Sequence, residues 1–75
     1  MVSIESIAKD VREAAETEPL GLCFVMREIE RELLLSLMQD HKGHVTKATH
    51  AINIKRTTMS MKLASHQIIS ANFKP

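Results

Sequence analysis

Gly43-His44-Val45-Thr46-Lys47-Ala48-Thr49-His50-Ala51-Ile52-Asn53-Ile54-Lys55-Arg56-Thr57-Thr58-Met59-Ser60-Met61-Lys62-Leu63 is the stretch that decides the fold. Val45, Ala48 and Ile52 recur at helical spacing on one face, and Met59 and Leu63 do so again further on, framed by Ile54 and Ile68. Between them lies a three-residue turn, Ile52-Asn53-Ile54. Asn53 belongs to the few non-glycine types that tolerate a left-handed backbone. Ala48 is small enough to let two helices cross closely, and Ile54 plugs the apolar wedge that holds their angle. Two short helices around such a turn, the second with hydroxyls and bases on its outer face, predict a helix-turn-helix.

Outward from this stretch the chain keeps a helical character. It has two glycines, two prolines and 3% aromatic residues, which with abundant Leu, Ile, Met, Ala, Glu and Lys predicts an all-α protein. Ile4, Ile7, Ala8, Val11, Ala14 and Ala15 form one apolar stripe, so a first helix is expected over 4–17. Ser3 is placed to cap it, and Glu18-Pro19-Leu20-Gly21 to stop it. A second helix is expected over about 22–41, with Gly43 taking its left-handed C-terminal cap. The recognition helix should run from Arg56 to about His66, and Ile69 and Phe73 should pack back on the core.

The second helix is apolar around too much of its girth for one short chain to cover. Leu22, Met26, Ile29, Leu33 and Leu37 make the main stripe, Leu34 and Met38 lie about 100° to one side, and Leu35 points nearly opposite. A chain of 75 residues has a thin core, and its single cysteine allows no intrachain disulfide. A four-helix homodimer joined through the main stripe is the economical solution. The expected organisation is one domain with pairing helices over 1–41, the helix-turn-helix over 42–68 and a short tail over 69–75.

Charge divides along the same line. Residues 1–40 hold all nine acidic residues against Lys9, Arg12, Arg27 and Arg31, a balance of −5. Residues 41–75 hold Lys42, Lys47, Lys55, Arg56, Lys62 and Lys74 with no acid, a balance of +6, and all four histidines. Such segregation is the footprint of a polyanion partner beside a separate assembly region.

Other function classes find little footing. No glycine-rich phosphate loop, nucleophile elbow or triad spacing is present, so no enzyme, catalytic residue or cofactor is expected; Ser36, Asp40 and His41 read as surface helix chemistry. His41, His44, His50 and His66 lack metal-ligand spacing and read as surface residues, with His44 a candidate phosphate contact or cap for the third helix. Cys23, beside Leu22, Phe24 and Val25, reads as a buried, inert thiol. No basic start leads into an apolar run, and no stretch approaches the roughly 20 apolar residues of a membrane span. A cytoplasmic protein without membrane contact is expected, either a stand-alone chain, which Met1 favours, or a domain cut from a larger protein.

Glu32 to Ile68, through Gly43-His44-Val45-Thr46-Lys47-Ala48, Ile54-Lys55-Arg56-Thr57-Thr58-Met59 and Lys62-Leu63, resembles the Fis (factor for inversion stimulation) family, whose helix-turn-helix also ends many enhancer-dependent bacterial activators. The resemblance implies a four-helix homodimer that binds double-stranded DNA as a bacterial transcription regulator or nucleoid-associated factor, in contact with another regulator or an RNA polymerase component. It implies Thr46 and Lys47 on phosphates, and Arg56, Thr58 and Lys62 on bases or backbone. Lys55, Thr57 and Ser60 complete the expected DNA-facing set, on a helix sized for the major groove, about 12 Å wide.

The chain also departs from the family. Asn53 replaces a turn glycine, Thr49 a second alanine, and Lys55 a capping Asn or Ser, a loss of about 1 kcal/mol. Ser60, Met61, Ala64 and Ser65 stand where the best-known members are basic. The alternative reading is a dimeric adaptor or anti-regulator that keeps the fold and binds protein in place of DNA.

Overall fold

The computed structural model describes residues 3–75. Met1 and Val2, the first two residues of the expected pairing region, lie outside the described residues. The chain is all-helical: α1 (Ile4–Thr17), α2 (Gly21–Asp40), α3 (Val45–Ala51) and α4 (Arg56–Ser65), followed by a 3-10 turn at Ser70–Phe73. It divides into two compact units, one ending at Glu30 and the other Arg31–Pro75.

In the first unit, Ser3 caps α1 by accepting the Ser6 N–H at 3.1 Å. Arg12 and Glu16 pair at 2.8 Å one turn apart on its exposed side. Pro19 ends the helix by holding Glu18 extended at ψ 123°. None of the residues of α1 is buried, and among the described residues of this unit only Val25 is. Ile4, Ile7, Val11, Leu22 and Met26 instead line an open apolar groove. Cys23 is exposed, contrary to expectation, because it lies two residues, about 200° of helix, from the inward-facing Val25.

The second unit holds the core. Leu34, Leu37, Met38, Ala48, Met59, Leu63 and Ile68 form it, with Leu35, Val45, Ile52, Ile54 and Phe73 packed at its edge. The flank of α2 therefore carries this core, rather than its main stripe: Leu34 and Met38 are fully buried, whereas Leu33 is 47% exposed. Leu37 is the one member of the main stripe that turns into the core. Ala48 has no exposed surface where α3 and α4 pack, as the close crossing requires.

Three helices end by one device. Lys42, Asn53 and Gln67 each adopt a left-handed conformation, φ 54°, 54° and 57°. The following N–H then returns to a carbonyl five residues back: Gly43 to Met38 at 2.9 Å, Ile54 to Thr49 at 3.1 Å and Ile68 to Leu63 at 2.9 Å. This is the Schellman closure, and it drops Ile54 and Ile68 onto the core. Asn53 behaves as expected. Lys42, not Gly43, takes the first cap position of α2, and Gly43 follows it at φ 80°.

His66 corrects the surface reading of the histidines. It is 3% exposed, and its carbonyl accepts Arg31 Nη1 at 2.5 Å; its place just before the closing turn draws it inward with Ile68. Ile69, at 59% exposure, stays outside, while Phe73 packs as expected.

Candidate nucleic-acid interface

Asn53 and Ile54 set the start of α4 against the start of α3. Lys55 stands at the N-cap of α4 and makes no side-chain cap, as its chemistry dictates, since an ammonium cannot accept a backbone N–H. His44 stands at the N-cap of α3, and its side chain makes no capping bond either. Arg56, the first residue of α4, donates through Nη1 to Thr46 Oγ1 at 2.5 Å. Ten residues apart in sequence, the two now join the first turns of both motif helices.

Of the sequence-expected DNA-facing residues, Thr46, Lys47, Lys55, Arg56, Thr57 and Ser60 are exposed, while Thr58 and Lys62 are half-buried. Met61, at 68% exposure, stands on the outer side of α4 opposite the inward Met59 and Leu63. Beneath α4, Thr49 is buried and donates its hydroxyl to the Thr46 carbonyl at 2.6 Å. The family alanine is thus replaced by a side chain that satisfies itself on its own helix.

Thr46, Lys47 and Arg56 share a cleft of about 430 Å³ with residues 43–45 and with Ser70 and Lys74. Lys74 belongs to the acid-free half of the sequence but to its short tail. No periodicity connects position 74 to position 47; the signal was charge alone. From His41 onward the chain has no carboxylate side chain to oppose these cations.

Among the described residues, no group of three or more His, Cys, Asp or Glu is placed to hold a metal ion. No helix among them is long and apolar enough to cross a membrane.

The family profile of the bacterial regulatory proteins of the Fis family matches residues 25–66. Neither a curated protein nor a solved structure matches the chain. The matched span takes in α3, the turn and α4 entire, and more than half of the chain. With its helix-turn-helix closed by Asn53 and its family profile matched over that length, this protein belongs to the Fis family of bacterial regulatory proteins.

Proposed function

We propose that the protein is a homodimeric DNA-binding regulator that lays α4 of each copy in one of two successive major grooves. A bacterial regulatory family with a helix-turn-helix supports the DNA-binding part directly. The observation that carries the reading is the convergence of Arg56, Thr46 and Lys47 at the exposed starts of both motif helices, on a stretch without acids. Thr46 and Lys47 take phosphates. Lys55, Arg56, Thr57, Thr58, Ser60 and Lys62 serve the base edges and the adjoining backbone.

The dimer rests on what α1 and α2 leave open. Leu22, Met26, Ile29 and Leu33 are 56%, 50%, 43% and 47% exposed, at three- and four-residue steps along α2. Units below roughly 40 residues usually need disulfides, metals or association to hold together, and among its described residues the first unit buries one apolar side chain. A second copy covers this stripe, so residues 1–41 pair and 42–68 bind. Two-fold symmetry then spaces the half-sites by one helical turn of DNA, about 34 Å. The protein acts in the bacterial cytoplasm, at the nucleoid, alongside another regulator or an RNA polymerase component.

Fluorescence anisotropy on random duplexes across salt concentration tests this. Binding should fall steeply with salt and be lost in the Arg56→Ala, Lys62→Ala double variant. The adaptor reading draws on the outer side of α4, where Met61 is exposed among Ser60, Ala64 and Ser65. No retention of DNA at low salt would favour it over DNA binding.

A further inference from the structure

The C-terminal turn lies beyond the matched residues 25–66, yet it is seated against the motif. Gly43 is buried at φ 80°, and a Cβ built there would overlap the Ser70 carbonyl oxygen and stand 3.0 Å from Lys74 Cγ. Only a residue without a side chain lets the turn approach this closely. The turn is closed by Asn72 N–H to the Ile69 carbonyl at 3.0 Å and by Lys74 N–H to the Ala71 carbonyl at 3.3 Å. Phe73 anchors it on the core. Lys74 is thereby held on the wall of the cleft that also contains Lys47 and Arg56.

We propose that this cleft is a subsite for one backbone phosphate of duplex DNA, and that Lys74 is a binding residue of it. The inference rests on the DNA-binding reading and extends it to a segment outside the family match. Three cations on one concave surface repel one another, and an anion between them reverses the sign of that interaction. A phosphodiester offers two non-bridging oxygens that share one negative charge. The Arg56 guanidinium, with one N–H engaged by Thr46, retains four more donors, and the Lys47 and Lys74 ammoniums bring three each. Inorganic phosphate offers the same chemistry from a different source. The cleft's opening at the starts of α3 and α4, beside the residues assigned to DNA, selects the duplex backbone.

The test compares the unmodified protein with Lys74→Gln, Lys47→Gln and Lys9→Gln, titrated onto several duplexes between about 50 and 200 mM salt. Lys74→Gln should weaken binding to every duplex by a similar factor, with a salt slope shallower by about 1 for each subunit bound. Lys47→Gln should do the same, and Lys9→Gln, on α1, should match the unmodified protein. An unchanged slope and affinity for Lys74→Gln, with Lys47→Gln still impaired, overturns the Lys74 assignment and leaves DNA binding standing. If, with that slope unchanged, inorganic phosphate shifts the Lys74 side-chain resonances, the subsite is for free phosphate and the proposal is equally overturned. Failure of the unmodified protein to retain DNA at low salt removes both readings together.

Discussion

Arg56 and Thr46 are hydrogen-bonded at 2.5 Å, guanidinium to hydroxyl, across the two helices of the motif. Neither is buried, so the bond contributes little to stability; its consequence is positional. The first side chain of α4 is turned toward the start of α3 and the cleft that holds Lys47. One cation is thereby shared between the recognition helix and its supporting helix.

Substitutions at this pair should separate charge from geometry. Arg56→Ala removes both and should raise the DNA dissociation constant most. Arg56→Lys keeps the charge but not the planar fork, and should retain the salt slope while losing part of the affinity. Thr46→Val leaves Arg56 unrestrained and should cost less than Arg56→Ala. Anisotropy titrations at fixed salt give the order; Thr46→Val weakening binding as much as Arg56→Ala would contradict it.

The open stripe of α2 makes a second prediction. Met26 is half-exposed on the single chain and is not among its buried residues, and Met26→Lys keeps similar helix propensity. In a dimer joined through this stripe it places a charge in an apolar interface. Sedimentation velocity should give twice the 8.4 kDa chain mass for the unmodified protein and the single-chain mass for the variant. A single-chain mass for both ends the dimer.

Much of this fold was legible in residue spacing. The expected first helix matches α1, and α4 starts at Arg56 as expected, because Ser3, Pro19 and Asn53 act on their own backbone neighbours. The choice of buried face on α2 was not legible. Leu33 and Leu34 have equal hydropathy, and only the position of α3 and α4 decides that Leu34 is buried and Leu33 is not. Lys42 and Gln67 gave no warning either, since their left-handed backbones are imposed by the closing hydrogen bonds from Gly43 and Ile68. The cleft followed the same rule: Thr46 and Lys47 were recognisable from the motif, whereas Lys74 joins them through a tail whose seat is a glycine 31 positions away.

Core substitutions should show how little slack the second unit has. Met59 is fully buried among residues of α2, α3 and α4, and Met59→Ala should cost about 2–5 kcal/mol. Ala48 has no exposed surface, and Ala48→Leu should cost about 1–3 kcal/mol by forcing the crossing apart. Urea denaturation at fixed protein concentration measures both, the concentration being held because assembly adds to apparent stability. An Ala48→Leu variant as stable as the unmodified protein would mean that the close crossing is not tight.

Adjacent residues at the end of α2 should respond with opposite signs. Lys42 is an exposed side chain at φ 54°, a conformation costing an ordinary residue about 1–2 kcal/mol, so Lys42→Gly should stabilise by up to about 1 kcal/mol once the greater freedom of the unfolded glycine is counted. Gly43 at φ 80° faces the Ser70 carbonyl, and Gly43→Ala meets both the backbone penalty and that overlap. It should destabilise by more than about 1 kcal/mol and release the C-terminal turn. Amide hydrogen exchange at Asn72 and Lys74, whose N–H groups close the turn, reports that release separately from global unfolding. Faster exchange there in Gly43→Ala, with Lys42→Gly unchanged, is the expected pattern. Equal protection in both variants would mean that the turn holds itself closed without its seat on Gly43.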